Sequence, residues 1–244
     1  KDKQVSLEDK TEKKNENQQT ELGDYHVSLK GEIKETADHF IVEGKSNLLP
    51  ESRIVGELVV DDGDTIFSDT SELVQQDGSF KIELEHHEYG EDEKVIRFDF
   101  EKAQNEEIQR HYGDKGQKLE GPFIYKHDSF DGIMKKAEAS VSYTPNEENT
   151  LLIQEPEWYE KPEDYGDPRV WIEVKDITDD GEYFYVHGIS NLLEGSEITI
   201  NYKGNRDQTL VKPDGSFDFT FDYEYLEDEE LVISFEPSFI QWNE

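Results

Sequence analysis

Gly44-Lys45-Ser46-Asn47-Leu48-Leu49 recurs as Gly188-Ile189-Ser190-Asn191-Leu192-Leu193, 144 positions later. Asp77-Gly78-Ser79-Phe80 recurs as Asp214-Gly215-Ser216-Phe217 at an offset of 137, and Ile96, Phe98, Phe100 and Glu101 match Leu231, Ile233, Phe235 and Glu236 at 135. Upstream, Glu32-Ile33-Lys34 pairs with Glu173-Val174-Lys175, and Phe40-Ile41-Val42 with Phe184-Tyr185-Val186. Anchors in one order make the chain two copies of one unit, so whatever fold it adopts must be adopted twice. The drift in offset leaves about seven extra residues in the first copy between Leu49 and Asp77. They are read as a loop insertion around Asp61-Asp62-Gly63-Asp64, since surface connections tolerate added length.

Both copies read as β. Phe217, Phe219, Phe221 and Tyr223 alternate with polar residues, and so do Phe80, Ile82 and Leu84, and Ile198, Ile200 and Tyr202. A period of two puts one face in a core and the other in water. Asp77-Gly78, Asp180-Gly181 and Asp214-Gly215 punctuate these runs and read as hairpin turns. The expected fold is all-β, two sandwiches of short antiparallel strands. The first is expected to carry one short helix, Ala103–Tyr112, ending at Gly113. It also gains a strand pair after Gly121-Pro122 that includes Ala137, Ala139, Val141 and Tyr143. The second sandwich lacks this extension and is expected to be closed only by Phe239 and Trp242. The expected boundaries are 1–20 for a disordered polar tail, 21–147 for the first domain, 148–168 for a Pro-rich acidic linker and 169–244 for the second domain. The stretch from Pro145 to Pro168 holds four prolines and is read as extended, outside both sheets. Leu151, Leu152, Ile153, Trp158 and Tyr159 are too apolar for a solvated linker and are expected to pack on a domain face.

The repeated G-x-S-N-L-L, followed by D-G-S-F and an alternating strand ending in F-E, resembles the bacterial immunoglobulin-like domains of Gram-positive surface proteins and lipoproteins. The resemblance covers roughly residues 25–100 and 169–239. It implies two immunoglobulin-like sandwiches in a cell-surface, non-enzymatic protein and carries over no catalytic residue. The antibody-type Cys–Trp–Cys framework is absent.

Composition narrows the functions. The chain of 244 residues carries 25 Lys+Arg against 60 Asp+Glu, a formal charge of −35, and no Cys. Disulfides, thiolate metal sites and thiol catalysis are excluded. Nucleic acid and anionic membrane surfaces are disfavoured as partners by repulsion. No apolar run nears the ~20 residues that span a bilayer. Residues 1–19 hold only Val5 and Leu7 as apolar residues and cannot offset their ordering entropy. They suit the tether of a mature lipoprotein whose lipidated Cys lies just upstream of Lys1. Extracellular or cell-envelope localisation follows, with a lipid anchor as the one membrane contact and a monomer as the expected state.

Catalytic signatures are missing. There is no G-x-S-x-G, S-x-x-K, H-E-x-x-H, Walker or G-x-G-x-x-G motif. Ser46 and Ser190 are read as strand-end turn residues bonding the local backbone rather than nucleophiles. His86 and His87 are neighbours on a strand and point to opposite faces, so they do not share a metal. With 60 acidic residues, accidental carboxylate pairs carry no glycosidase signal. Two sets of candidates remain. Asp61, Asp62, Asp64, Asp179 and Asp180 sit in acidic glycine turns that could hold calcium, a hard oxygen-seeking ion, although neither turn has EF-hand spacing. No other cofactor is expected. Trp158, Tyr159, Tyr165 and Trp171 cluster around the linker and could anchor a protein partner or a sugar ring. The expected function is a non-enzymatic cell-envelope module presenting tandem domains to a protein or wall component. The alternatives are a calcium-dependent adhesion module and a glycan-acting enzyme.

Overall fold

The computed structural model describes residues 21–60, 65–85, 94–100, 104–129, 132–145, 151–179, 181, 183–202, 204–222 and 231–237. It is all-β apart from one seven-residue helix. Strands β1 (Leu29–Glu35), β2 (His39–Ser46), β5 (Ser79–Glu85) and β9 (Leu152–Ile153) form a four-stranded sheet in the order β5-β2-β1-β9. Strands β3 (Arg53–Val60), β4 (Thr65–Leu73), β6 (Lys94–Phe100), β7 (Ile124–His127) and β8 (Met134–Tyr143) form a five-stranded sheet, β4-β3-β6-β8-β7. One core joins the two, with Ile33, Phe40, Val42, Phe80, Ile82 and Leu84 meeting Ile54, Leu58, Ala137, Ala139 and Tyr143. Two three-stranded sheets follow. One has the order β10-β11-β14, from Ile172–Asp179, Tyr183–Ser190 and Ser216–Asp222; the other has β13-β12-β15, from Asn205–Leu210, Glu197–Tyr202 and Leu231–Ser234. A second core of Val186, Leu192, Ile198, Ile200, Val211, Phe217 and Phe219 lies between them.

The period-two runs fall on strands for the reason they were singled out. Along β5, Phe80, Ile82 and Leu84 are buried while Lys81, Glu83 and Glu85 face water. Phe217 and Phe219 are buried on either side of exposed Asp218. Cross-strand register pairs Phe40 with Leu84, Val42 with Ile82 and Gly44 with Phe80; Val186 stands opposite Phe219 and Gly188 opposite Phe217. Gly44 and Gly188 are required there. The Phe80 and Phe217 rings lie against their Cα atoms, and a Cβ would come within 2.3 Å of Phe80 Cζ or 2.1 Å of Phe217 Cζ.

Asn47 and Asn191 act beyond their own turn. Asn47 Oδ1 accepts from Ser28 N and Nδ2 donates to His26 O, both at 2.8 Å. Asn191 Oδ1 accepts from Trp171 N and Nδ2 donates to Arg169 O, both at 3.0 Å. Each buried amide therefore pins the segment entering the first strand, about twenty residues upstream, where a local turn was expected. Its short amide matches both a donor and an acceptor of that passing backbone. Two of the three Asp-Gly turns also differ from expectation. Asp77-Gly78 links β4 to β5 and Asp214-Gly215 links β13 to β14, and each pair of strands lies in different sheets. These are corners between layers rather than hairpins. The glycines take φ of 81° and 89°, and their carbonyls accept from Ser46 N and Ser190 N at 2.8 Å. That interaction with the adjoining sheet, absent from the local sequence signal, turns the chain across the core. β10 and β11, on either side of Asp180-Gly181, are antiparallel partners, and Asp180 itself lies outside the described residues.

Helix α1 (Glu106–Tyr112) starts three residues later than expected, because Asn105 caps it by accepting from Glu107 N and Ile108 N. The seven extra residues of the first copy are mostly strand: β3 and β4 have eight and nine residues against six and six in β12 and β13. The Asp61–Asp64 turn itself lies outside the described residues. Register also moves one pairing. Ile33 stands opposite Val42 and Ile177 opposite Val186, so Ile33 corresponds to Ile177 and not to Val174. A bulge between Val174 and Asp176 adds a residue to β10, and alternating E-x-K patterns are alike at any even offset. The linker is not wholly outside the sheets. Gly31 pairs with Ile153 and Glu32 with Leu152, while Ile33 N donates to Leu151 O at 2.9 Å. Its prolines at 145 and 156 flank this apolar triplet and leave the triplet's own donors intact. The Phe239 and Trp242 closure and residues 1–20 lie outside the described residues.

Candidate functional site

The connector from Ile153 to Trp171 is tied down along its length. Trp158 Nε1 donates to Pro122 O at 2.8 Å, and its ring meets Tyr125 edge-on at 5.3 Å. The next residue turns to the second pair of sheets, where Tyr159 N donates to Asp214 Oδ2 at 2.9 Å. Asp214 is buried; its other oxygen accepts from Ser216 N and Oγ. Its counterpart Asp77 makes the same two bonds to Ser79 in full exposure, so it is the connector that covers Asp214. The Tyr165 hydroxyl accepts from Glu194 N at 2.7 Å, and burial raises its pKa. Trp171 Nε1 donates to Asp164 Oδ2 at 2.9 Å. Gly166 N donates to Asn191 O at 2.6 Å, as Gly23 N does to Asn47 O at 2.7 Å. Leu22-Gly23-Asp24 and Tyr165-Gly166-Asp167 are thus a further matched pair that sequence reading missed, because only Gly-Asp is identical.

β7 meets the second pair of sheets directly. Lys126 N donates to Glu194 Oε1 at 2.8 Å, and the Lys126 stem lies where a Cβ on Gly195 would be, 2.6 Å from Cδ. Glu197 is buried, which raises its carboxyl pKa, and the charge of Asp128 adds to the rise.

A groove of about 640 Å³ lies between β8 and the connector, lined by Tyr125, Glu138, Ser140, Glu155, Trp158 and Lys212 among others. Glu138 accepts from the Tyr125 hydroxyl at 2.6 Å, with Lys136 Nζ at 3.7 Å and His127 Nδ1 at 3.8 Å. Beside it, Asp218 Oδ2 accepts from Lys212 Nζ at 2.5 Å and its Oδ1 lies 2.7 Å from His187 Nδ1. Partial desolvation pushes the Asp218 carboxyl up, but Lys212 and His187 outweigh it and hold the pKa below the ordinary range. Tyr159 stacks obliquely on His187 at 5.6 Å. These charges neutralise one another, an arrangement suited to holding strands and connector together.

The four aromatic candidates therefore do not form one surface. Trp158, Tyr165 and Trp171 are partly buried and spend their polar atoms on Pro122, Glu194 and Asp164. Tyr159, 61% exposed, presents its ring to solvent. Of the calcium candidates, Asp61, Asp62, Asp64 and Asp180 lie outside the described residues. Asp179 ends β10 and is exposed. Among the described residues no group of three or more His, Asp or Glu is placed to hold a metal ion, and no helix is long and apolar enough to cross a membrane.

No protein-family model matches the sequence, and no curated protein matches it. Among solved structures, one of a 1.5-MDa bacterial ice-binding adhesin, studied for host cell surface retention, is similar at 11% identity with a TM-score of 0.22. The match covers 80% of this chain and 54% of that one, so the chain spans about half the length of that structure.

Proposed function

We propose that the chain is a non-enzymatic cell-envelope module of two immunoglobulin-like sandwiches, held at a restrained angle so that one presents the other. The first would span residues 21–153 and the second would start near Asp164, inside the segment first read as linker. Supporting this reading, the strand order β5-β2-β1 with β4-β3-β6 has the same connectivity as β14-β11-β10 with β13-β12-β15. The observation that carries the presenting role is the double clamp at Trp158 and Tyr159. Successive residues bond Pro122 on one side and Asp214 on the other, and Lys126–Glu194 adds a direct bond. A connector so fixed transmits orientation, which a spacer requires and a flexible tether does not. Residues 1–20, rich in Lys, Glu, Gln and Asn, would serve as the tether to the envelope, and a protein or wall component would be the partner.

Because the chain lacks Cys, spin labels can be attached uniquely at Glu83→Cys and Asp207→Cys, both on exposed strand positions. Pulsed dipolar spectroscopy should give one narrow distance distribution that broadens in Trp158→Ala. A broad distribution already present in the unmutated connector would refute the restrained angle. Reproducible hydrolase turnover by the purified chain, lost on mutating one carboxylate pair, would refute the non-enzymatic reading.

A further inference from the structure

We propose that the outer edge of β10 is a strand-docking site for an extended peptide segment of another protein, alternating in apolar residues and flanked by Lys or Arg. Val27, on the segment entering β1, and Ile33, on β1 itself, are 1% and 4% exposed. Their counterparts Val170 and Ile177 are 43% and 50% exposed, and Val174 between them is 38% exposed. Inward positions are buried in one case and open in the other. The cause is what covers them. Val27 N donates to Glu120 O at 2.8 Å and Ile33 N to Leu151 O at 2.9 Å. β9 then adds to the edge of β1, with Ile153 in the core. Among the described residues β10 is the end strand of its sheet, and every side chain from Glu173 to Asp179 is exposed.

An edge of unpaired backbone beside branched apolar side chains is the surface that β-strand addition uses. The first pair of sheets shows what fits there: the short extended run Leu151-Leu152-Ile153, antiparallel to β1. The bulge in β10 and its charges limit indiscriminate pairing. The charges also select the partner. β1 is uncharged on balance, with Lys30 and Lys34 against Glu32 and Glu35, and receives a strand followed by Glu155 and Glu157. β10 carries Glu173, Asp176 and Asp179 against Lys175, which already bonds Glu173 at 2.8 Å. The docking edge is net acidic on a chain of charge −35, so a basic flank is attracted and a second copy of this chain is repelled.

The probe is an acetylated ten-residue peptide of alternating valine and threonine with two lysines at each end; its glutamate-ended analogue is the control. On the full chain, the lysine-ended peptide should bind saturably by fluorescence anisotropy, at least tenfold tighter than the control, and should slow hydrogen exchange at residues 172–179. Ile177→Lys should abolish binding, whereas Val232→Lys, on the exposed face of β15, should leave it intact. The surface variant Glu173→Lys/Asp176→Lys/Asp179→Lys should invert the preference toward the glutamate-ended peptide. Absence of binding to the unmutated chain, protection on another edge, or an unchanged preference in the triple variant would overturn the proposal. So would a concentration-dependent dimer that Ile177→Lys dissolves, which would give the edge to a second copy.

Discussion

Asn47→Ala and Asn191→Ala probe the same interaction in two places. Asn47 joins Ser28 N to His26 O, and Asn191 joins Trp171 N to Arg169 O. Both amides are buried. Truncation removes two hydrogen bonds worth about 1 kcal/mol each and leaves a backbone N–H without its acceptor at roughly 1–3 kcal/mol more. The expected loss is about 3–5 kcal/mol per site. In units of some 75–130 residues, 1 kcal/mol corresponds to roughly 3–8 °C, so the melting shift should be on the order of 10 °C or more. Differential scanning calorimetry separates the two cases. If each pair of sheets melts as its own unit, Asn47→Ala lowers one transition and Asn191→Ala the other. The double variant then lowers both by the sum, as distant sites add. Equal displacement of a single transition by either variant would refute the two-unit reading. A loss below about 1 kcal/mol in either would refute the role assigned to the amide.

The close approach of Phe80 to Gly44 and of Phe217 to Gly188 makes alanine at either glycine an overpacking change. Each should cost roughly 3 kcal/mol, at the upper end of that class, read as a drop in the urea midpoint; a neutral result would mean the rings move freely. Burial pushes the Tyr112 hydroxyl pKa from 10.0 to about 12. A folded pKa above the unfolded one gives stability that is whole below pH 10 and lost as pH rises toward 12, at most about 3 kcal/mol. Alkaline denaturation should therefore steepen in that window and flatten in Tyr112→Phe; an unchanged slope would contradict it. Melting in EDTA, calcium and magnesium should give matching small gains with the two ions if the acidic turns only screen charge. A saturable, calcium-selective rise would assign them a site.

Sequence alone located most strands, because alternation such as Phe80-Lys81-Ile82-Glu83-Leu84 states which side faces the core. It could not say which strands pair. Asp77-Gly78 looks the same in a hairpin and in a corner between layers; the placing of β4 and β5 in different sheets and the bond from Ser46 N to Gly78 O distinguish them. Nor could it align Ile33 with Ile177 across a bulge, since the bulge leaves no residue signature. The connector was legible in part. Its apolar residues marked it as packed, but Trp158 and Tyr159 point to opposite partners, and that choice depends on Pro122 and Asp214, 36 and 55 residues away.

The asymmetry between the two pairs of sheets follows from one segment, residues 104–153. Helix α1, buried through Ile108 and Tyr112, is followed by Leu119 and Glu120, which cover Val27. β7 and β8 widen the second sheet, and β9 returns to complete the first. The same β7 supplies Lys126 to Glu194, and the turn before it supplies the Pro122 carbonyl to Trp158. One insertion therefore closes its own core and builds the seat for the following unit. If that is its purpose, lengthening the chain between Ile153 and Trp158 by a few glycines should leave both cores intact and loosen only the angle between them. Loss of the first core's stability on such a lengthening would instead show that β9 is held in place by the clamp at Trp158, and that closure and orientation are one cooperative event.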